Sequence, residues 1–293
     1  MAGPLAKSHK TDRRAFCRSV AVSLGSVAAS AVFGHSSNQT STPEVGLFEP
    51  RTFKCPSGDT LPYRLFTPKL NGTKNSYPLV LWLHGGAGRG ADNLRQITGG
   101  NTAGATTWVK PENQNRNPCI VVAPQCPENK DWTISDRVPL SAAATPALTE
   151  RMVDEMTPSE HLLATVELIE SLSKTFRVDA GRIYISGQSM GGFGAWALIA
   201  RYPQMFAAAM PLCGGGALRS ASRLTRLAIW TFHGENDPVV PVTLTRRIVE
   251  EIKKAGGHPK YTELKGAGHA IWPQVFSDPE LMPWVFAQRR TVT

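Results

Sequence analysis

A serine between closely spaced glycines is the residue of this sequence best suited to do chemistry. Ser189 is the third residue of the run Gly-Gln-Ser-Met-Gly-Gly at 187–192, which has the G-x-S-x-G pattern. The apolar run 183–186 before it predicts a strand, and the small residues of 192–198 after it predict a helix. A direct strand-to-helix turn strains the residue at the turn, and flanking glycines leave room for it. We therefore predict that Ser189 is a nucleophile at a sheet edge, with an incidental serine in a Gly-rich turn as the alternative.

A serine hydroxyl is a poor nucleophile unless a base accepts its proton and an acid orients that base. After a serine of this kind, the acid and then the histidine follow along the chain. Asp237 comes just after the apolar run 227–232, and His269 lies in a Gly-rich turn after the strand-like run 260–264. We predict Asp237 as the acid, with Glu235 as the alternative, and His269 as the base. His233, which precedes the acid, is predicted to be structural.

Hydrolysis at a carbonyl also needs two backbone donors for the developing negative charge. We predict that they are the N–H of Met190, directly after the serine, and the N–H of Gly86. Gly86 lies in the Gly-rich turn 84–90, which follows the apolar run 79–83. A phosphate-binding loop is the alternative for this turn, but it has neither G-K-[ST] nor dinucleotide-binding spacing. The cysteines and histidines show no metal-ligand spacing, and we expect neither a metal nor an organic cofactor.

The elements that position these residues alternate between strand and helix. Five short apolar runs lack polar alternation, which is typical of strands buried on both faces of a parallel sheet; they are residues 79–83, 119–123, 183–185, 207–210 and 227–232. Residues 51–66 predict an antiparallel hairpin ahead of them. The predicted fold class is α/β, with a mostly parallel sheet flanked by helices on both faces.

Three helices have recognisable ends. The first is predicted to begin with Thr157 as N-cap, Pro158 at the first position and Glu160 closing a capping box. The second covers 242–255 and ends at two glycines. The third lies near the C-terminus, with Asp278 as its cap.

Two connections, 99–118 and 125–156, are longer than the others, and both leave the C-terminal ends of predicted strands. Open α/β sheets place their sites at that edge, and loops of this length are often functional. Trp108 and Trp132 lie in these connections, and Trp272 follows His269 closely. We predict that the three rings contact substrate. The alternative is that they only pack the loops against the body of the protein.

The N-terminus has the features of an export signal. Arg13 and Arg14 form a twin-arginine pair, a weakly apolar run covers 20–32, and residues 29–31 offer a small-x-small cleavage pattern. We predict a twin-arginine-type export signal over 1–31, a polar linker over 32–46 and a single domain over 47–293. The signal implies a periplasmic or extracellular protein without stable membrane insertion once the signal is removed. A disordered basic tail is the alternative.

Charge and cysteines narrow the choice of partners. The formal net charge is +9, and the first 31 residues hold five basic groups and one acidic group. The remaining excess is spread without a Lys/Arg run, which argues against a nucleic-acid surface. Four cysteines would remain after cleavage: Cys55, Cys119, Cys126 and Cys213. Their pairing does not follow from sequence, but Cys119 and Cys126 flank an extended run and are expected not to pair. We predict buried or half-buried free thiols.

Five motifs in a fixed order give the chain a family resemblance. They are residues 83–93, residues 123–127 with Trp132, residues 187–196, residues 233–241, and His269 with the Pro-Glu-Leu…Trp tail. Together they resemble the phospholipase/carboxylesterase-like α/β-hydrolases, and they are similar to small polyhydroxybutyrate depolymerases and feruloyl esterases. The resemblance implies the α/β-hydrolase fold and the triad Ser189, Asp237 and His269. The turn His-Gly-Gly-Ala-Gly-Arg departs from the family form His-Gly-Ala-Gly-Glu-Arg, which leaves the ion pairing of Arg89 open.

These residues predict a serine hydrolase that cleaves carboxylic esters through an acyl-enzyme. The expected substrate is a small-molecule or polysaccharide-linked ester, and neither the acyl group nor the oligomeric state follows from the sequence. A serine peptidase is the first alternative, because the triad alone does not distinguish an ester from an amide. A non-catalytic binding protein on a hydrolase scaffold is the second.

Overall fold

The apolar runs of the sequence form the centre of an eight-stranded sheet in the computed structural model. Its strands are β1 (Glu49–Lys54), β2 (Thr60–Phe66), β3 (Tyr77–Leu83), β4 (Ile120–Pro124), β7 (Val178–Gln188), β8 (Ala208–Leu212), β9 (Ala228–Gly234) and β10 (Lys260–Leu264). Two short strands, β5 (Thr133–Ile134) and β6 (Thr157–Pro158), pair separately. The order in the main sheet is β1-β2-β4-β3-β7-β8-β9-β10. The structure describes residues 42–56, 58–69, 76–134, 151 and 153–291.

The sheet is parallel except at one end. β1 pairs antiparallel with β2, and β2 pairs antiparallel with β4. The pairs β4–β3, β3–β7, β7–β8, β8–β9 and β9–β10 are all parallel. This confirms the predicted α/β class and its N-terminal hairpin. Because parallel strands end at the same edge, the turns after β3, β7, β9 and β10 come together there.

Helices cover both faces of the sheet. They are α1 (Thr102–Thr106), α2 (Pro111–Arg116), α3 (Glu160–Thr175), α4 (Met190–Arg201), α5 (Val242–Lys254), α6 (Trp272–Phe276) and α7 (Leu281–Ala287). Alternate residues of a strand point to opposite faces. Leu79 and Leu81 of β3 therefore join a core with residues of α3, α4 and α5, while Trp82 packs with residues of α6 and α7.

Two predicted helix starts are wrong by a few residues. Thr157 and Pro158 pair with β5 as strand β6, so α3 begins only at Glu160. Its N-cap is Ser159, whose hydroxyl accepts the N–H of Leu162 at 3.3 Å. The pairing with β5 is a tertiary contact that the local capping signal does not contain.

The last helix begins later than its predicted cap. α7 starts at Leu281, and the carboxylate of Asp278 accepts the N–H of Glu280 at 2.8 Å. Asp278 therefore stabilises the turn before the helix instead of capping the helix itself. α5 lies where it was predicted and ends before Gly256, which has φ +90°.

The connection 99–118 is not an irregular loop. It contains α1, α2 and the 3₁₀ turns Gly99–Asn101 and Thr107–Val109. The connection 125–156 contains β5, and its residues 135–150 and 152 lie outside the described part of the chain.

The described part of the chain begins within the predicted linker. Pro43–Leu47 forms a 3₁₀ turn that buries Val45 in the core. The predicted export signal (1–31) and linker residues 32–41 lie outside the described residues. In the described ranges, no helix combines the length and the apolar character that crossing a membrane requires.

Candidate active site

The strand-to-helix turn has the strained geometry that its glycines predict. β7 and α4 meet at Ser189, which has φ 54° and ψ −118°. A positive φ is uncommon for a residue with a side chain, and here the N–H of Ser189 donates to the carbonyl of Leu212 at 2.9 Å. A Cβ at Gly191 would collide with the carbonyl oxygen of Leu83. The turn therefore requires glycine beside the serine, and it holds a half-buried hydroxyl at the C-terminal edge of the sheet.

Three side chains from three different loops form one hydrogen-bonded series at this edge. His269, in the loop after β10, has its Nε2 atom 2.9 Å from Oγ of Ser189. Its Nδ1 atom lies 2.7 Å from Oδ2 of Asp237, in the loop after β9. The carboxylate accepts a hydrogen bond from Nδ1–H, which leaves the lone pair of Nε2 free to accept the serine proton. The side chain of Asp237 is fully buried, and that of His269 is 17% exposed.

The buried carboxylate of Asp237 is surrounded by donors. Its Oδ1 atom accepts the N–H groups of Val239 at 2.8 Å and Val240 at 2.9 Å. Its Oδ2 atom lies 3.2 Å from Nε2 of His233 as well as beside His269. Burial by itself raises the pKa of Asp237, but the hydrogen bonds from the two histidines and the two N–H groups outweigh it and hold the pKa well below its usual range. The acid is therefore ionised.

Glu235, the alternative acid, has a different task. Its carboxylate accepts the N–H of Gly266 at 2.8 Å, and the N–H of Asn236 donates to the carbonyl of Ala267 at 2.9 Å. These bonds tie the loop after β9 to the loop that carries His269. Glu235 thus helps to fix the relative position of the acid and the base.

The Gly-rich turn after β3 is held by a buried histidine. His84 places Nδ1 2.7 Å from the carbonyl of Gly85, and its Nε2 accepts the N–H of Cys126 at 3.0 Å. Burial lowers the pKa of His84 to about 4, so the ring is neutral at pH 7 with its proton on Nδ1. A Cβ at Gly88 would collide with this ring. The sequence signal for this role of His84 is its position directly before the glycines.

The two predicted oxyanion donors each begin a helical turn. Gly86 is the first residue of the 3₁₀ turn Gly86–Gly88, and Met190 is the first residue of α4. The first N–H groups of a helix have no partner inside that helix. Both groups are therefore suited to bind an anion at the edge that carries Ser189.

The family to which the chain belongs follows from its match to a family model. The model described as Phospholipase/Carboxylesterase matches residues 71–280. This range covers most of the chain and contains Ser189, Asp237 and His269. The chain belongs to the phospholipase/carboxylesterase family.

Solved structures of other proteins share this fold. A thermostable esterase is 38% identical with a TM-score of 0.74, over 84% of this chain and 64% of that one. The chain thus spans less than two thirds of that esterase. A ferulic acid esterase is 15% identical with a TM-score of 0.58, over 82% of this chain and 98% of that one. An acylaminoacyl peptidase from Pyrococcus horikoshii is 12% identical with a TM-score of 0.56, over 84% and 43%. The latter two likenesses concern the fold alone. None of the curated proteins matches the chain.

One departure from the usual form of the phospholipase/carboxylesterase family has a structural answer. The glutamate before Arg89 is missing, but Arg89 forms an ion pair with Asp131. Its Nε also donates to the carbonyl of Lys130 at 2.6 Å. Arg89 is therefore paired with a carboxylate from the connection 125–156.

Two of the three tryptophans predicted to contact substrate do not reach it. Trp108 and Trp132 are fully buried, so that prediction is wrong for both. Trp108 packs edge-on against Phe276, with the ring centres 6.0 Å apart. Trp132 donates from Nε1 to the carbonyl of His84 at 3.1 Å and thereby supports the Gly-rich turn. Both rings attach their connections to the body of the protein, which was the alternative.

Trp272 lies beside the predicted base. Its ring centre is 5.3 Å from that of His269, and the two planes are almost perpendicular, at 88°. The side chain is half-buried. It supports one side of the imidazole, and substrate contact by its exposed part stays a prediction.

One cluster in the described part of the chain has the composition of a metal site. Cys213, His233 and Asp237 have ligand atoms within 4.8 Å of one another. Each is already engaged: Sγ of Cys213 donates to the carbonyl of His269 at 3.3 Å, and Nε2 of His233 donates to that of Val240 at 3.0 Å. Burial raises the pKa of the Cys213 thiol far above neutral pH, so it is a protonated and poor ligand. Cys213 and His233 are therefore better suited to support His269 and Asp237 through hydrogen bonds than to bind a metal. Cys55, Cys119, Cys126 and Cys213 are all free thiols.

Proposed function

We propose that this member of the phospholipase/carboxylesterase family hydrolyses carboxylic esters through an acyl-enzyme on Ser189. The observation that carries the proposal is the hydrogen-bonded series from Oγ of Ser189 through His269 to Asp237, with distances of 2.9 and 2.7 Å. A histidine placed in this way accepts the hydroxyl proton while the oxygen attacks a carbonyl carbon.

The reaction has two halves. In the first, Ser189 attacks the ester, His269 takes its proton and passes it to the leaving alcohol, and the acyl group stays on the serine. In the second, His269 removes a proton from water while the water oxygen attacks the acyl carbon. The bond from that carbon to Oγ of Ser189 then breaks, His269 returns the proton to Oγ, and the carboxylic acid is released. Asp237 keeps the imidazole in the productive tautomer and stabilises its charged form throughout. No step needs a metal or an organic cofactor.

The negative charge that develops on the carbonyl oxygen needs donors. The N–H groups of Gly86 and Met190 are our candidates, because both begin helical turns at the edge that carries Ser189. These donors stabilise the oxyanion because they are fixed before the reaction, so that no reorganisation is required when the charge appears.

The substrate we propose is a small-molecule or polysaccharide-linked ester. Support comes from the family and from the 38% identical thermostable esterase. The half-buried Trp272 beside His269 offers an apolar surface for the acyl or alkoxy group. A peptidase activity is the alternative, and the substrate comparison below distinguishes the two.

The test is the change Ser189→Ala. We expect a loss on the order of 10⁴–10⁶ in kcat toward p-nitrophenyl butyrate, since the covalent route disappears. A fluorophosphonate probe should label the unchanged protein and leave the variant unlabelled. Cleavage of short peptides, measured in parallel with p-nitrophenyl acetate, butyrate and feruloyl esters, should be slower than that of the best ester.

Ser277→Ala is the matched control, because that exposed hydroxyl only donates to the carbonyl of Gln274 at 2.8 Å. It should keep the full activity. If Ser189→Ala turns over esters at the rate of the unchanged protein, the assignment of the nucleophile is wrong. If peptides are cleaved faster than every ester, the peptidase alternative replaces the proposal.

We also propose that the enzyme is exported, with residues 1–31 as a twin-arginine-type signal. The pair Arg13-Arg14 and the weakly apolar run behind it support this. In a bacterial host with the twin-arginine pathway, the full chain should appear in the periplasm or the medium. The double change Arg13→Lys with Arg14→Lys should retain it in the cytoplasm. An equal distribution of the two proteins between fractions would contradict the proposal.

A further inference from the structure

A buried asparagine connects the Gly-rich turn after β3 to the strand-to-helix turn at Ser189. Asn101 ends the 3₁₀ turn Gly99–Asn101 and is 1% exposed. Its Oδ1 atom accepts the N–H of Gly85 at 2.8 Å and Nε2 of Gln188 at 3.2 Å. Its Nδ2 atom donates to the carbonyl of Arg95 at 3.1 Å.

Both residues that donate to Asn101 directly precede a residue proposed to act in the reaction. Gly85 precedes Gly86, and Gln188 precedes Ser189, which is itself followed by Met190. One carboxamide oxygen therefore receives hydrogen bonds from the two segments that supply the proposed oxyanion donors. The two segments are 87 residues apart in sequence at this contact.

The geometry around Gly85 shows how such a bond controls the donor at Gly86. The carbonyl of Gly85 and the N–H of Gly86 belong to one planar peptide unit. The Gly85 carbonyl is held by Nδ1 of His84 at 2.7 Å and by the N–H of Gly88 at 2.9 Å, and Asn101 holds the N–H on the other side of Gly85. With both sides fixed, a glycine loses its usual backbone freedom. The direction of the Gly86 N–H is then fixed as well.

The bond to Gln188 connects Asn101 to the other segment through a side chain. Nε2 of Gln188 donates to the carbonyl of Gly100 at 2.9 Å as well as to Asn101. Within the described residues, Oε1 of Gln188 is buried without a partner, so Nε2 makes both polar contacts. A Cβ at Gly85 would lie only 3.4 Å from Gln188, which shows how closely the two segments approach.

We propose that Asn101 is a positioning residue that holds the oxyanion donors of Gly86 and Met190 at a fixed separation and orientation. It touches no reacting atom and acts through Gly85 and Gln188. The proposal rests on the proposed esterase function. Fixed donors stabilise the charge of the transition state more than the neutral carbonyl of the bound ester. Loss of Asn101 should therefore lower kcat and leave KM nearly unchanged.

A purely structural role is the competing explanation, because Asn101 also attaches its connection to the sheet edge. Asn113 provides the matched comparison: it lies in the same connection, is half-buried, and its Nδ2 donates to the carbonyl of Thr107 at 2.7 Å. It contacts neither the Gly-rich turn nor the turn at Ser189. A loss that arises from loosening the connection should appear in both alanine variants, whereas a loss of donor alignment should appear only at position 101.

The experiment measures Asn101→Ala, Asn113→Ala, Gln188→Met and the double variant Asn101→Ala with Gln188→Met in the full chain. Gln188→Met keeps the side-chain length and removes the donor, so it serves where Asn101→Ala does not fold. Kinetics with p-nitrophenyl butyrate give kcat and KM per active site, counted by fluorophosphonate titration. An alkyl trifluoromethyl ketone is the transition-state probe, since its adduct with the serine places an oxyanion between the donors. Thermal unfolding records the stability of each variant.

We expect Asn101→Ala to lose about 10- to 100-fold in kcat, less than the deletion of a donor, with KM within about twofold. The inhibition constant of the trifluoromethyl ketone should rise by the same factor as kcat/KM falls. Gln188→Met should show a smaller loss of the same kind, and its effect should not add to that of Asn101→Ala. Asn113→Ala should keep kcat.

Three results would overturn the proposal: unchanged kcat in Asn101→Ala and Gln188→Met, equal losses at positions 101 and 113, or a loss of kcat without a weaker trifluoromethyl ketone complex. Failure of the esterase function itself looks different. In that case the unchanged protein does not cleave esters, or Ser189→Ala remains active.

Discussion

The proposed acid of the triad has two histidine neighbours, and only one of them faces the serine. His233 is fully buried, with Nε2 3.0 Å from the carbonyl of Val240 and 3.2 Å from Oδ2 of Asp237. Both of these atoms are acceptors only, so Nε2 carries a proton. Nδ1 lies 2.7 Å from Oγ1 of Thr245. The ring of His233 therefore contacts the same carboxylate oxygen, Oδ2, that His269 contacts.

The change His233→Leu should weaken both stability and catalysis. It removes a donor from a fully buried carboxylate, and losing a hydrogen bond to a charged group costs about 1.5–3 kcal/mol. We expect a free energy of unfolding in urea lower by that amount, and a lower kcat/KM because the acid is less well oriented. His233→Gln can retain a donor toward Asp237 and should recover part of both.

His258 supplies the control for this experiment, because it is exposed and lies in the turn before β10. His258→Leu should change neither the unfolding free energy nor kcat/KM by a comparable amount. Equal stability and activity in His233→Leu and the unchanged protein would show that the contact with Asp237 has no consequence.

The elements that local pattern describes well are the buried strands and the turn at Ser189. Runs such as 79–83 and 119–123 contain no hydroxyl, amide or charged side chain, so their place in the sheet follows from composition alone. The turn at Ser189 could be predicted from its glycines. Their nearest neighbours are close in sequence or lie on the adjacent strand, so the constraint on them is local. The proximity of Asp237 and His269 to Ser189 could be predicted because parallel strands end at one edge.

What the sequence did not predict depends on contacts between distant segments. α3 begins later than predicted because residues 157–158 pair with β5. The ion pair of Arg89 with Asp131 joins two different connections, and Asn101 meets Gln188 across 87 positions. Trp108 was misplaced because a ring in a long connection has the same local pattern whether it faces substrate or the core. Hydrogen bonds and packing of this kind become visible only once the fold is formed.

Several titratable groups across the molecule have a lower pKa in the native protein than in the unfolded chain, so stability depends on pH. Burial lowers the pKa of His84 to about 4 and also lowers that of His161. The pKa values of Asp92 and Asp179 are lowered, because hydrogen bonds to their carboxylates outweigh burial. The hydrogen bond from Arg246 lowers the pKa of Glu263 to about 2. In every case the unfolded chain binds a proton at a higher pH than the native protein does, so stability falls as the pH is lowered.

These shifts predict acid destabilisation in two steps. Unfolded histidine takes up a proton near pH 6.5, and native His84 resists this down to about pH 4, so the first loss occurs between those values. Unfolded aspartate takes up a proton near pH 3.9, whereas Asp237 stays ionised in the native protein because its donors outweigh burial and lower its pKa. Each such group lowers the free energy of unfolding by about 1.4 kcal/mol for every pH unit between its unfolded pKa and its native pKa.

Urea unfolding from pH 8 to pH 3 should show both steps, and Asp237→Asn should reduce the slope only in the second. Glu280→Gln, which changes a carboxylate that is 74% exposed, is the control and should keep both slopes. An unaltered slope below pH 4 in Asp237→Asn would mean that the acid is not held ionised by its surroundings.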